Sequence, residues 1–465
     1  MLSARGSTAS GIESSVLAPK LLATCAILAA VCACAGDAEK KPQRIVVITV
    51  DTLRHDCFAS SERDEPLMPQ TLRFARRGLV FDHFYATAAS TQPTHASLFT
   101  GLHPWQHGVV RNGCVLSPEH ETIVEKLKAR GFATGAVVSS FPVHSKFGLA
   151  QGFDAYDDDF TFERKKIKDE WLGVETTGEY FYSVSSDITD KALATLDKLG
   201  EADDASQFLW VHYFDPHDPY GDFEEIPSVY FRLRILARNK SPLLGPTIKR
   251  ARALYEKDVR RLDGQLGRLF LRLIEDEEKF ETHVIFTSDH GESFGERGGP
   301  FGHGHHLIEE QLHVPTFLVS PRVSAGRATD TAGTVDLAAT ILALANDPRP
   351  SPCGRDLTAA AKPGERFGAF GMRSTFDDEV KVTQADGRDL RVDTPRFYAV
   401  RGGHIWSGDE SEIFEADETP VSVPGFADEL KEIFAGFRAT LDRTRTFELD
   451  DPETRATLKA LGYTE

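Results

Sequence analysis

The sequence predicts an α/β fold: a large, mostly parallel central sheet covered by helices on both faces, plus a small C-terminal antiparallel sheet with a helix. Three observations carry this. Apolar β-branched runs alternate with amphipathic stretches of helical period, which implies crossover connections. Runs such as Ile45–Asp51 are apolar nearly throughout, as strands buried on both faces must be. From about Gly368 the runs shorten and charged turns separate them.

The first residues stand outside this pattern. Arg5 and Lys20 precede the apolar run 21–34, which is as long as a signal-peptide core and short for a membrane span. Its end, Val31-Cys32-Ala33-Cys34-Ala35-Gly36, resembles a bacterial lipobox with Cys34 as the lipidated first residue of the mature chain. Ordinary cleavage and an uncleaved anchor are the alternatives. Residues 1–36 are thus expected to be a signal peptide and 37–44 a polar tether. The expected location is the periplasm or outer membrane, with membrane contact only through an N-terminal lipid.

Residues 45–365 carry the main fold. Its expected strands are Ile45–Asp51, Ala133–Val138, Phe208–Asp215, His283–Asp289 and Val314–Ser320. Its expected helices are Pro69–Arg77, Glu121–Arg130, Ser186–Leu199, Tyr255–Glu277 and Thr334–Ala345. Thr161–Thr177 and Phe223–Pro246 are charged and read as irregular surface insertions over the active-site face. Residues 366–465 form the small subdomain, with strands Arg396–Gly402 and His404–Trp406 and the helix Ala427–Phe437.

Acidic residues exceed basic ones, for a formal net charge of -18. Such a surface repels nucleic-acid phosphates, which excludes a polyanion-binding role. An anionic substrate must then be attracted locally, by a metal or a few basic side chains. Cleavage near Cys34 leaves Cys57, Cys114 and Cys353, whose spacing fits no metal motif. They are expected to be free, buried thiols, with one disulfide as the alternative in an oxidising compartment.

Three expected strands end in aspartate: Asp51, Asp215 and Asp289. Ligands of open parallel sheets bind beyond the carboxyl ends of the strands, so these carboxylates converge on one edge. His290 adjoins Asp289, and Gly291 lets the chain turn away closely. Histidines gather after the same strands: His212 and His217 in one segment, His303, His305 and His306 in another. Oxygen and nitrogen donors at several ends of one sheet favour a catalytic metal site. Thr91 sits just before a helix that Pro93 opens, where free N–H groups and the helix dipole favour an ionised hydroxyl; a plain helix cap is the alternative.

These segments resemble a family. Asp51 after its strand, TQPTHASLFTG, FDPHDPY, TSDHGE, GHGHHLIEEQLHVP and the closing LKALGY resemble the sulfatases of the alkaline phosphatase superfamily, in family order. The resemblance implies a divalent metal bound by Asp51, Asp289 and His290, with the Thr91 hydroxyl as a further ligand. Thr91 stands where sulfatases carry the Cys or Ser that becomes formylglycine, and His95 where they carry an arginine. His217 matches a histidine near the substrate oxygens or leaving group, and either His303 or His305 matches a lysine or histidine of similar task. Asp215, with His217 and a loop histidine, could hold a second ion.

The chain also departs from the family. Threonine cannot become formylglycine, so none is expected. Asp51-Thr52 replaces a pair of aspartates, and a Lys-x-His pair is absent, although His144 and Lys146 lie nearby. The expected function is a metal-dependent hydrolase of sulfate or phosphate esters with Thr91 as nucleophile. Phosphate mono- or diesters are favoured, because water readily resolves a phosphothreonine and a sulfated threonine poorly. Calcium, manganese, zinc and magnesium all suit the ligands. The alternatives are a phosphotransferase moving a head group onto a glycan or lipid, and a non-catalytic binding lipoprotein.

Overall fold

The computed structural model describes residues 41–58, 65–160, 167–171, 174–178, 182–200, 205–221, 229–296, 301–304, 306–359, 369–373, 380–383, 389–392, 395–401, 404–415 and 425–448, with residues 452 and 454. The expected leader, and all but the end of the tether, lie outside them. No helix among the described residues is long and apolar enough to cross a membrane.

The main sheet contains β1 (Gln43–Val50), β2 (Leu79–Tyr85), β3 (Ala133–Val137), β4 (Ala155–Asp157), β5 (Gln207–Tyr213), β6 (Glu281–Ser288), β7 (Thr316–Val319) and β8 (Gly326–Gly333). Their spatial order is β8-β2-β7-β6-β1-β5-β3-β4. Every pairing is parallel except those of β7, which runs antiparallel to both β6 and β2. The helices longer than four residues, among the described residues, are α1 (Pro69–Ala75), α2 (Thr91–Thr100), α3 (Ile123–Lys128), α4 (Ser185–Leu199), α5 (Val229–Arg238), α6 (Leu244–Glu275), α7 (Thr334–Leu344) and α8 (Phe426–Leu441).

Side chains of β1 alternate between two cores, one on each face. Ile45 and Val47 join Leu98 of α2, Leu127 of α3 and Ile341 of α7. Val46, Ile48 and Val50 join Phe74 of α1, Leu196 of α4 and Leu262 of α6. Burial on both sides is why β1 reads as one unbroken apolar run. The C-terminal sheet orders β9 (Ala369–Met372), β10 (Phe397–Arg401), β11 (His404–Gly408) and β12 (Ile413–Glu415) as consecutive antiparallel neighbours. Met372, Phe397 and Ala399, with Leu430 and Phe434 of α8, share the core on the α2 face. Residues Pro42–Glu465 pack as one compact unit.

Several expectations need correction. Phe223–Pro246 is not irregular throughout: it holds α5 and the first turn of α6, which begins at Leu244 rather than Tyr255. Leu233, Leu236 and Ala237 give α5 a buried face that frequent arginines obscure in the sequence. Thr161–Thr177 contains most of a hairpin, Ile167–Trp171 against Val174–Gly178. Three strands of the main sheet went unread, among them β4 with only three residues. β8 is mostly exposed and polar, and β2 carries Asp82 and His83 in mid-strand, so neither offers an unbroken apolar run. Cys57 and Cys114 are buried free thiols as expected, whereas Cys353 is exposed.

Candidate active site

The sheet register brings two carboxylates together. On its two sides, Val50 of β1 pairs in parallel with Ser288 of β6 and with Tyr213 of β5. The residues that follow, Asp51 and Asp289, therefore leave the sheet side by side. Asp51 N donates to Tyr213 O at 2.8 Å and Asp289 N to Val50 O at 3.3 Å. Thr52 then adopts a left-handed φ of 55°, costly for a β-branched residue. Hydrogen bonds hold it there: its N–H donates to Asp289 Oδ1 at 3.2 Å, and its carbonyl accepts from the Tyr255 hydroxyl at 2.8 Å.

The turn after Asp289 is equally constrained. Gly291 runs so close to the neighbouring segment that a Cβ would stand 2.1 Å from Glu310 O. Its N–H donates to Gln311 O at 2.8 Å. His290 Nδ1 lies 3.0 Å from Gly291 O, which points Nε2 inward. That nitrogen is 3.8 Å from Asp51 Oδ1, 3.7 Å from Asp289 Oδ2 and 3.5 Å from Thr91 Oγ1. Asp51, Thr91, Asp289 and His290, scattered along the chain, thus face one point.

Thr91 is the first residue of α2, with Ser90 as N-cap in extended conformation, rather than the residue before the helix. All of α2 is buried. The second N–H of the helix, on Gln92, donates to Asn112 Oδ1 at 2.9 Å. This fixes the Asn112 carboxamide beside the first turn of α2, and its Nδ2 is buried without a hydrogen-bond partner.

Electrostatics test whether a cation fits. Both oxygens of Asp51, Asp289 Oδ2 and His212 Nε2 are buried and have no hydrogen-bond partner. Burial, then the nearby charges of Asp289 and Glu292, hold the Asp51 carboxyl well above its ordinary range. Burial also raises Asp289, against hydrogen bonds from His290 N, Thr52 N and the Thr91 hydroxyl. Two buried carboxylates with unfilled oxygens are costly unless a positive charge joins them. One donor atom each from Asp51, Asp289 and His290 lies within 4.8 Å of the others, so the set fits a divalent cation with oxygen and nitrogen ligands. Burial pushes the imidazoles down, His290, His212 and His217 far below their ordinary value, His95 to about 4 and His303 to about 3. All five are neutral at pH 7 in the protein alone, the form that ligates metal or shares hydrogen bonds.

The other expected residues divide. His303 and His217 line the same space, with the His303 ring 4.4 Å from His290 and 5.0 Å from His217. His217 Nδ1 lies 2.6 Å from Asp218 O. His95 sits beneath Thr91. Its nitrogens already meet Thr91 O at 2.8 Å and Thr49 Oγ1 at 3.0 Å, so it supports α2. Although His95, His212 and Asp289 also form a close set of potential donors, both His95 nitrogens are engaged. Asp215 serves elsewhere: its Oδ2 accepts from Ser185 N at 2.9 Å and caps α4, whose N-cap residue Val184 offers no polar side chain. His144 pairs with Asp158 at 3.2 Å, and Lys146 donates to Thr454 at 2.7 Å, so neither replaces the absent Lys-x-His pair. His305 lies outside the described residues.

One contributor was not legible beforehand: Asn112 lies in a loop with no local signal. His212 was named, but not its place or its direction. His212 is an interior strand residue whose Nε2 reaches to 3.9 Å from Asp51 Oδ2 while Nδ1 meets Ser139 Oγ at 3.0 Å. Only alternation along β5, with Trp210 and His212 on one side, hinted at its direction.

A family model described as Sulfatase matches residues 43–347. The chain is 24% identical over 444 residues to the multifunctional alkaline phosphatase superfamily protein PehA of Trinickia caryophylli, covering 76% of this chain and 82% of that one. It is 23% identical over 348 residues to the choline-sulfatase of Rhizobium meliloti (strain 1021), covering 65% and 67%. Among solved structures it resembles a protein in complex with its substrate D-glucosamine-2-N,6-O-disulfate, with a TM-score of 0.65, 16% identity, and 89% and 99% coverage. It also resembles the phosphonate monoester hydrolase SpPMH of Silicibacter pomeroyi, with a TM-score of 0.59, 18% identity, and 87% and 96% coverage. At these identities the structural likeness establishes the fold.

Proposed function

The chain belongs to the sulfatase family and is a hydrolase acting on ester bonds, and from that premise we propose that it cleaves phosphate mono- or diesters through Thr91. The observation that carries the proposal is the Thr91 hydroxyl, at the first residue of a buried helix, facing Asp51, Asp289 and His290. A divalent cation held by these four residues would favour ionisation of the Thr91 hydroxyl and neutralise ester oxygens.

The protein groups supply the rest. Thr91 Oγ1 attacks phosphorus in line with the leaving oxygen. The positive end of the α2 dipole favours charge on the nonbridging oxygens, and the unpaired Nδ2 of Asn112 offers them a hydrogen bond. His303, neutral in the protein alone, takes up a proton as the anionic ester binds and gives it to the leaving oxygen. Water then attacks the phosphothreonine, which restores Thr91 and releases the product. A threonine has no aldehyde to re-form, so this exit depends on direct attack by water, which suits phosphorus better than sulfur.

Sulfate esters are the second reading, favoured by the family and by the choline-sulfatase relative. Export through residues 1–36, with lipidation at Cys34, belongs to the same proposal, and mass analysis of the mature N-terminus tests it. For the chemistry, wild type, Thr91→Ala and Asp289→Ala are reconstituted with each metal and assayed on aryl phosphate mono- and diesters and aryl sulfates. Each substitution is expected to cost about 10³-fold or more in kcat/KM. Full activity in either variant removes the assignment, and faster turnover of sulfates than of phosphates by wild type selects the second reading.

A further inference from the structure

Behind the imidazoles lies a carboxylate with no part in the bond changes above. Glu292 is 0% exposed. Its Oε1 lies 3.2 Å from His303 Nδ1, and its Oε2 accepts from the Tyr220 hydroxyl at 3.0 Å. Its carbonyl accepts from the Arg54 guanidinium at 2.6 Å, so main chain and side chain are both fixed. Tyr220 is also buried and packs edge-on against Tyr255, with ring centres 5.6 Å apart. A buried carboxylate, phenol and imidazole are each costly alone; here they satisfy one another.

This arrangement orients a ring. With Nδ1 turned to Glu292, Nε2 lies on the edge of the His303 ring away from that carboxylate. Without the Glu292 contact, the imidazole could turn about its own bonds, and the distance to a leaving oxygen would no longer be set. General acids depend steeply on that distance.

We propose that Glu292, with Tyr220, is a positioning residue for His303, holding its imidazole so that Nε2 delivers a proton to the leaving oxygen. His303 acquires that proton with the anionic ester and loses it as the bond from phosphorus to the leaving oxygen breaks. It regains one from the water that hydrolyses the phosphothreonine. Glu292 makes and breaks no covalent bond. The inference rests on the reading of His303 given above.

The test is a leaving-group series of aryl phosphate esters, from 2,4-dinitrophenyl, which needs no proton, to phenyl, which does. The proteins are wild type, His303→Ala, Glu292→Gln and Tyr220→Phe, all metal-loaded, with metal content measured. His303→Ala should lose far more on phenyl than on dinitrophenyl ester. Glu292→Gln should repeat that pattern at about tenfold on phenyl and under about threefold on dinitrophenyl, in kcat rather than KM, with metal content unchanged. Tyr220→Phe should show the same slope more weakly, and it serves as the test if Glu292→Gln does not fold. Loss by one factor across the series, or loss of metal, overturns the positioning role. A flat response in His303→Ala instead overturns the assignment of His303, which separates the two failures.

Discussion

Thr52 shows how one residue can set a reaction centre. Its left-handed backbone turns the chain just after Asp51, and Tyr255 holds the turn by donating to Thr52 O and accepting from Arg54 N at 2.9 Å. Tyr255→Phe leaves two buried backbone groups unpaired beside a strained residue. It should cost about 2 kcal/mol in thermal or denaturant unfolding and weaken metal binding, measured by titration calorimetry. Unchanged stability would mean that the turn holds itself. At this scale the sequence was readable where a residue type and a strand end coincide, as at Asp51, Asp289 and His290. It was silent at Asn112 and at the partnership of Glu292 with His303. Those depend on which polar atoms are left over once all others are paired, and only tertiary contacts decide that.

Among elements, α4 explains why an aspartate expected near a metal is not part of the cluster. The helix begins after Val184, which cannot cap it, and the Asp215 carboxylate beyond the end of β5 supplies the missing acceptor. Asp215→Ala should therefore lower stability by about 1 kcal/mol and leave bound metal per chain unchanged by elemental analysis. A fall in metal content would instead restore the two-ion expectation. Central strands were legible because burial on both faces writes a continuous apolar run. The edge strand β8 and the charged helix α5 were not, since exposed faces blur both periods. Helix α2 was placed two residues late, because Pro93 marks the first turn without fixing its first residue.

For the whole molecule, acid is the informative stress. Beyond the reaction centre, burial keeps His55 and His103 at about 3 and His283 at about 4, and pushes His107 far down. These imidazoles stay neutral in the fold, while those of the unfolded chain take up protons below about 6.5. Their contribution is complete above that pH and is lost as pH falls from there towards 3 to 4. Unfolding free energy should accordingly drop by on the order of a few kcal/mol between pH 7 and 4.5, followed by urea titration at each pH. A level profile would mean that the folded protein accepts these protons. The two sheets also meet where it matters most. The Tyr398 hydroxyl donates to Ala86 O, 312 residues earlier in the chain, and Met372 N donates to Thr87 O at 2.9 Å, on the segment that delivers Thr91. A growing polypeptide on the ribosome thus carries Asp51, Thr91, Asp289 and His290 well before the strands that clamp the approach to Thr91. Competence must wait until β9 and β10 have been made, and a stop before β10 would yield a protein with the chemistry spelled out and no firm place to perform it.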